Sequence, residues 1–272
     1  MLAAVARGQH RLKDPFPWVL DDPFAMLLVG PGWAQLVALA EALFPENLQR
    51  EVRAWAAVRS RYAEDRLTQG AFTQYVMLGA GLDSLAWRRP DLLGAVTMFE
   101  VDHPASQAWK RERVDALGLP VNDRHLFVPI DFEVESLGAG LDAAGFDWAQ
   151  PTLFSWLGVM LYLTTEAVET TLRTSTACPS GSEVVFTYRA DESVLDDAGR
   201  EFAQIFEPLA AQSGEPAQPG RSGKEIEGLV TGCGLRVEEL PNRATIVSRY
   251  FEQRSDALVP SSFEGLAVAA VP

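Results

Sequence analysis

The sequence predicts a three-layer α/β fold with a mostly parallel sheet. Apolar runs typical of strands alternate with helical segments along the chain, and the first of these runs ends in a glycine turn. Residues 75–78 are continuously apolar, as in a strand buried on both faces. Gly79 and Gly81 follow directly, and glycine lets the backbone take positive φ and approach a ligand. Ligands of open α/β sheets bind beyond the carboxyl ends of the strands, so this turn is the predicted binding site.

Composition is typical of a globular protein, and we predict a single domain over residues 1–272. The 272 residues are 47% apolar. A formal net charge of −14 argues against nucleic acid or an anionic membrane as a partner. No apolar run approaches the roughly 18 residues that span a bilayer. Cys178 and Cys233 are expected to be reduced thiols, which suits a cytoplasmic protein. The scarcity of lysine relative to arginine suggests a GC-rich bacterial genome.

The first 70 residues are predicted to be helical. Pro15, Pro17 and Pro23 limit residues 1–30 to irregular chain with short helices. Longer helices are expected over about 33–43 and 48–69, where apolar residues recur every three or four positions. Arg59 lies beside the apolar face of the second of these helices, where a cation would suit a ligand carboxylate. A surface arginine that merely lies along the core is the alternative.

The segment after the glycine turn returns as a second strand that ends in acids. A GxG turn alone is a weak signal, and Ser84 replaces the third glycine of the dinucleotide fingerprint. However, residues 96–102 read as a strand, and Glu100 and Asp102 lie two apart and therefore on one face. An acid about 20 residues beyond such a turn is where a βαβ site accepts from ribose hydroxyls. One acid is expected to contact ribose and the other to orient loops; a solvated strand end is the alternative.

A third strand over 125–130 ends in another candidate pair. Asp131 and Phe132 follow it directly, after the helix predicted over 105–117. A carboxylate accepts from an exocyclic amine while an aromatic ring packs on a base, so the pair suits an adenine site. An N-cap for the next helix explains Asp131 equally well.

The remaining elements continue the alternation with one interruption. A fourth strand is predicted over 152–157 and a fifth over 183–188, followed later by strands over 235–240 and 266–271. Residues 191–223 break the pattern with a helix over about 194–211 and a loop rich in Gly, Pro and Ser. We predict that this insertion forms part of a substrate lid.

Several blocks in this order resemble a known family. They are VMLGAGLDSLAWR at 76–88, FEVDHP at 99–104, VPIDF at 128–132 and SWLGVMLYLTTEAV at 155–168, with LDDPFA at 20–25 and VRSRY at 58–62. The chain resembles the leucine carboxyl methyltransferase-like family of S-adenosylmethionine-dependent methyltransferases, including bacterial members linked to polyketide O-methylation. The resemblance implies a Rossmann-like class I methyltransferase fold. Its sheet has seven strands, the last antiparallel, and N-terminal helices within 1–70 act as a lid.

The resemblance also implies site residues. Arg59 would hold the cofactor carboxylate, Asp102 with Glu100 nearby would contact the ribose, and Asp131 and Phe132 would contact the adenine. The methionine part of the cofactor would lie along the turn and the block after the fourth strand, which places Gly79, Ala80, Gly81, Asp83 and Trp156 at the cofactor. One position departs from the family pattern, because Leu157 stands where related members carry Glu.

The implied chemistry is a direct displacement, in which the protein aligns the groups and excludes water. A carboxylate is ionised at neutral pH, whereas a phenol needs a base or a metal. No evident base–acid pair is formed by His10, His103 or His125, so a carboxylate or acidic hydroxyl of a small molecule is the favoured acceptor. No metal-ligand cluster is apparent in the sequence, so no metal is expected. Tyr162 is the candidate catalytic, substrate-side polar group, with a core-packing tyrosine as the alternative.

Two other functions remain open at this point. A nicotinamide-dependent oxidoreductase also uses a glycine turn and a strand-end acid, although Ser84 counts against it. A non-catalytic relative that keeps the fold is the second, suggested by Leu157 and by the short N-terminal region. Oligomeric state is not predicted.

Overall fold

A computed structural model describes residues 1–131 and 135–272 and contains one seven-stranded sheet. The strands lie in the order β3-β2-β1-β4-β5-β7-β6. They are β1 (Gln74–Leu78), β2 (Thr97–Asp102), β3 (His125–Pro129), β4 (Thr152–Trp156), β5 (Glu183–Arg189), β6 (Arg236–Glu239) and β7 (Glu264–Ala270).

Strand direction confirms the predicted fold class. β1 pairs in parallel with β2 and with β4, so that Val76 lies opposite both Phe99 and Phe154. β7 is antiparallel to both β5 and β6. The antiparallel last strand is the arrangement implied by the family resemblance.

Helices cover both faces of the sheet. The α-helices of the described residues are α1 (Leu2–Lys13), α2 (Ala25–Val29), α3 (Trp33–Leu43), α4 (Glu46–Gln69), α5 (Leu85–Arg88), α6 (Pro90–Leu93), α7 (Pro104–Ala116), α8 (Leu137–Ala143), α9 (Thr165–Ser175), α10 (Asp197–Gln212), α11 (Gly223–Gly232) and α12 (Arg243–Tyr250). Across the part of the chain that the structure describes, no helix is both long and apolar enough to cross a membrane.

The N-terminal region is more regular than the sequence predicts. Residues 2–13 form a helix of 12 residues, because the prolines at 15, 17 and 23 all lie beyond its end. No bounds were predicted for helix α8, and its N-cap is Ser136 rather than Asp131; the Ser136 side chain accepts from the Ala139 backbone N–H at 3.2 Å. Cys178 and Cys233 are unbridged and buried.

Two apolar clusters lie on opposite faces of the sheet. Strand alternation separates them within β1, where Tyr75 and Met77 join one cluster and Val76 and Leu78 join the other. Helix α4 packs on the first face and contributes Ala54, Val58 and other side chains. Each face of the sheet is therefore covered, which explains why the central strands are continuously apolar.

The carboxyl ends of the first three strands lie side by side. The Gly79 N–H donates to the Val101 carbonyl at 2.9 Å, and the Ile130 N–H donates to the Asp102 carbonyl at 2.9 Å. The predicted positions near 79, 102 and 131 consequently share one edge of the sheet.

Candidate active site

The glycine turn after β1 opens onto a cleft of about 190 Å³. Gly79 and Gly81 have φ values of 71° and 49°, which residues other than glycine rarely adopt. A Cβ on Gly81 would meet no atom closer than the Gly79 carbonyl oxygen at 3.9 Å, so Gly81 presents bare backbone to open space. We call this cleft the strand-tip cleft; residues 79–83, α1, α4 and residues 157–159 line it.

Asp102 ends β2 and braces the glycine turn. Its Oδ2 accepts from the Gly81 N–H, and its Oδ1 accepts from the His103 N–H at 2.7 Å. The carboxylate is only partly buried, and each of its oxygens has a lone pair left for a second donor. It therefore retains the capacity to accept from ribose hydroxyls.

Glu100 does not share this position, which corrects its assignment to the cofactor. Its side chain is fully buried, ion-paired with Lys110 and bonded to His125 Nε2 at 2.9 Å. Glu100 lies two residues before the end of β2, where α7 and β3 cover it. It therefore links Lys110 of α7 to His125, the first residue of β3.

Asp131 follows β3 at the same edge, partly buried, and its backbone N–H donates to Glu135 Oε2 at 3.1 Å. Phe132 lies outside the described residues. The proposed contact of this pair with adenine stays a prediction.

Arg59 projects from α4 toward the turn after β4. Its Nη1 lies 3.1 Å from Glu264 Oε2, and its guanidinium approaches the Gly158 backbone so closely that a Cβ there would be 2.5 Å from Nη1. Gly158 has a φ of 72° and thereby permits this approach. Arg59 lines the strand-tip cleft, and its guanidinium has further donors besides the Nη1 that bonds Glu264.

Asp83 and Ala80 also line the strand-tip cleft. The Asp83 Oδ1 accepts from the Leu85 N–H at 2.7 Å and so begins α5. Burial by itself would raise the pKa of this carboxyl, but the Arg7 and Arg88 guanidinium groups outweigh it and hold the pKa below its ordinary value. Asp83 is therefore a stable anion at neutral pH.

The side chain of Trp156 does not reach the cofactor site to which the sequence analysis assigned it. Its side chain is 2% exposed and belongs to the apolar cluster on the far face of the sheet. Strand alternation turns Ser155 and Leu157 toward the cleft instead, and both line it. Leu157 accordingly places an apolar side chain where the family resemblance implies an acid.

Sequence reasoning missed several polar residues of the cleft. Tyr75 Oη donates to Ser155 Oγ at 2.8 Å across β1 and β4. Glu64 is buried on α4 and pairs with Arg88 Nη2 at 2.7 Å. Burial raises the pKa of Glu64, against the opposing effect of Arg88. The signal available in the sequence was the spacing of Ser60 and Glu64, which places both on one face of α4.

A larger cavity of about 450 Å³ adjoins the cleft and shares Arg59 and Gly158 with it. We call it the aromatic cavity, since ring side chains form much of its wall. These rings are Phe44, Trp55, Tyr162, Phe202, Phe206 and Phe263. The N-terminal helix α1 and the predicted lid segment 191–223 both contribute lining residues; whether either moves as a lid stays a prediction.

Tyr162 faces the aromatic cavity beside Phe206, with ring centroids 6.3 Å apart. Burial, helped by the nearby carboxylates of Glu264 and Glu215, raises the pKa of its phenol to about 12. The hydroxyl is therefore protonated at neutral pH, so it is able to donate a hydrogen bond but is a poor base.

A third cleft of about 560 Å³ lies between α4 and α12. Its lining includes Arg61, Asp65, Arg249 and Glu252, and it shares no residue with the strand-tip cleft. Within residues 1–131 and 135–272 no group of three His, Cys, Asp or Glu side chains is placed to hold a metal ion.

Glu51, in the wall of the aromatic cavity, provides a prediction of stability against pH. Burial and, secondarily, Asp196 raise its pKa from an ordinary 4.5 to about 7. The unfolded chain ionises first as pH rises, so this group lowers stability progressively between those two pH values. We expect Glu51→Gln to raise the free energy of unfolding at pH 8 by about 1–2 kcal/mol, allowing for solvent screening of a half-buried group. At pH 5, just above the ordinary pKa, the difference should fall to about a quarter of its full size.

Urea denaturation at pH 5 and pH 8 measures this difference. Glu112→Gln, on the exposed face of α7, is the matched control and should change stability little at either pH. Equal stabilisation of Glu51→Gln at both pH values would contradict the raised pKa.

Comparisons with known proteins agree with this architecture. A family model described as leucine carboxyl methyltransferase matches residues 1–176. A relative from Bacillus subtilis (strain 168), provisionally named S-adenosyl-L-methionine-dependent methyltransferase YktD, is 32% identical over 97% of this chain and 93% of its own length. A relative from Frankia alni with the same provisional activity is 37% identical, but the match covers 64% of this chain and 58% of that protein.

Solved structures show the same fold at low sequence identity. A DUF574 family protein from Streptomyces avermitilis aligns over 100% of this chain and 97% of its own, with a TM-score of 0.65 and 15% identity. A structure from Thermobifida fusca, described with the same provisional methyltransferase assignment, aligns over 99% and 94% with a TM-score of 0.64 and 17% identity. At these identities the likeness concerns the fold alone.

Proposed function

The chain belongs to the leucine carboxyl methyltransferase family of S-adenosylmethionine-dependent methyltransferases, and on that basis we propose that it methylates a carboxylate or hydroxyl oxygen of a small, largely apolar molecule. The observation that carries this proposal is the pair of adjoining cavities. The strand-tip cleft presents polar backbone and charged groups, the aromatic cavity presents rings, and Arg59 and Gly158 stand between them.

The residues of the strand-tip cleft, together with Asp102 beside its glycine turn, fit the cofactor. Gly81 leaves open space where any other residue would carry a Cβ, Arg59 offers guanidinium donors for a carboxylate, and Asp102 offers acceptors for hydroxyls. When bound, S-adenosylmethionine supplies an electrophilic methyl group on a sulfonium. The protein's part is to hold the cofactor at the edge of the sheet, with no covalent intermediate of its own.

The aromatic cavity suits the acceptor. Its rings bury flat apolar molecules and exclude water from the reacting oxygen. Tyr162, which is protonated at neutral pH, would orient an acceptor oxygen by donating to it and would not take its proton. An acceptor that is already ionised, such as a carboxylate, requires no base and matches this arrangement best.

Sheet topology weighs against the oxidoreductase alternative. Dinucleotide-binding sheets of the doubly wound type run 3-2-1-4-5-6 with parallel strands. Here an antiparallel β7 lies between β5 and β6.

Isothermal titration calorimetry with S-adenosylmethionine and S-adenosylhomocysteine tests the proposal. We expect both to bind, and absence of binding at millimolar concentration would overturn the proposal.

Incubation with S-adenosylmethionine and a panel of aryl carboxylic acids and phenols, read by mass spectrometry, then distinguishes carboxyl from hydroxyl acceptors. Cofactor binding without product across the panel would indicate the non-catalytic alternative.

A further inference from the structure

Several residues in the wall of the aromatic cavity carry unpartnered polar atoms. Seven buried side-chain nitrogen or oxygen atoms of the described residues have no hydrogen-bond partner, and four of them belong to residues that line this cavity. They are Gln9 Nε2, Gln49 Oε1, Glu51 Oε2 and Arg53 Nη1, and we call these four residues the polar cluster. Each unpartnered buried group costs about 1–3 kcal/mol, so their gathering in one cavity points to a ligand group that completes them.

Two members of the polar cluster are held in place by bonds on their other atoms. Gln49 Nε2 donates to the Phe44 carbonyl at 2.8 Å, which leaves Oε1 as the unpartnered acceptor. Arg53 donates from Nε and Nη2 to Asp14, at 3.1 Å each, which leaves Nη1 as the unpartnered donor. Groups that are fixed before a ligand arrives lose little entropy on binding it.

The charges around the polar cluster select against an anion. The Arg53 guanidinium is already compensated by Asp14 and by Glu46, whose Oε1 lies 3.1 Å from Nη2. Glu51 adds a third acidic side chain to the same wall. A ligand carboxylate would meet the negative charges of Asp14 and Glu46 against the one positive charge of Arg53. An uncharged group instead meets donors on Gln9 and Arg53 and an acceptor on Gln49. It also meets the Glu51 carboxyl, which donates when protonated and accepts when ionised.

The polar cluster lies away from the reacting end of the cavity. Glu51 and Arg59 both lie on α4 and are eight positions apart, which corresponds to a rise of about 12 Å along the helix. Arg59 borders the strand-tip cleft, so a ligand that reaches from the cofactor to Glu51 spans about this length.

We propose that the polar cluster binds the far end of the methyl acceptor, and that this end carries an uncharged group that both donates and accepts hydrogen bonds, a hydroxyl or a carboxamide. The acceptor is then an elongated, flat, apolar molecule with the oxygen to be methylated at one end and the neutral polar group at the other. This substrate class rests on the proposed methyltransferase function.

Three biphenyl acids of the same body test the preference for a neutral polar end. Biphenyl-4-carboxylic acid, its 4′-hydroxy derivative and biphenyl-4,4′-dicarboxylic acid are titrated into the protein by calorimetry, with and without S-adenosylhomocysteine. We expect the hydroxy acid to bind about tenfold more tightly than the unsubstituted acid, and the diacid to bind no better than the unsubstituted acid. Equal affinity of the hydroxy acid and the unsubstituted acid, or no binding of any probe, would overturn the proposal.

These measurements separate the two levels of inference. Failure of S-adenosylhomocysteine to bind would overturn the methyltransferase function, while the order of affinities among the three probes without cofactor tests the polar cluster by itself.

Gln9→Met tests whether the polar cluster is a binding feature or a structural one. The substitution removes the unpartnered amide nitrogen while keeping the length of the side chain, so stability should stay equal or rise. The affinity advantage of the hydroxy acid should fall about fivefold, and Gln69→Met on the exposed end of α4 should leave it unchanged. Loss of stability with an unchanged preference for the hydroxy acid would assign Gln9 a structural role and contradict the proposal.

Discussion

Replacing Asp102 with Asn is expected to weaken the binding of S-adenosylhomocysteine by about 100-fold. The carboxylate of Asp102 has accepting capacity left beyond its bonds to the Gly81 and His103 N–H groups. Charge-assisted bonds to two ribose hydroxyls are together worth about 2–3 kcal/mol, and an amide that presents an NH₂ group to one hydroxyl forfeits most of that. Isothermal titration calorimetry measures the loss directly.

The control for Asp102→Asn is Asp115→Asn on the exposed face of α7, which changes the net charge equally. That variant should bind the ligand as the wild type does. If Asp102→Asn binds within threefold of the wild type, Asp102 does not contact the ligand, and the ribose assignment is wrong.

Replacing Gly81 with Ala is expected to reduce affinity for S-adenosylhomocysteine to a similar extent. The φ of 49° makes any side chain strained, at a cost of about 1–2 kcal/mol in stability. The added methyl group would also project into the strand-tip cleft, where no protein atom opposes it but the cofactor would. A steric overlap of this kind costs about 1–3 kcal/mol of binding free energy, in addition to the strain.

Gly118→Ala separates strain from contact with the ligand. Gly118 has a φ of 62° and open space around its Cβ position, and it follows α7 away from the cleft. Both variants should lose comparable stability in urea denaturation, but only Gly81→Ala should lose affinity. Comparable affinities in the two variants would mean that the glycine turn does not approach the cofactor.

At the ends of β2 and β4, the sequence predicted where the strands end but not which side chains the neighbouring elements cover. Alternation correctly placed Glu100 and Asp102 on one face, but it did not tell which acid the neighbouring elements would cover. Lys110 and His125 come from α7 and β3 and enclose Glu100, whereas Asp102 stands at the open end. The assignment of Trp156 is wrong for a related reason. The sequence placed residues 155–168 correctly at the end of β4, but the pleat of β4 turns the Trp156 side chain to the far face of the sheet.

The sequence by itself determined the order of the strands along the chain, the buried parallel strands and the turn at Gly79, because apolar periodicity and glycine placement act over a few neighbouring residues. The tertiary structure alone decided the aromatic cavity and its polar cluster. Their walls bring together Gln9, Arg53, Phe202 and Phe263 from distant parts of the chain. Which buried polar atom is left without a partner depends on how those segments pack against one another, and no local pattern records that.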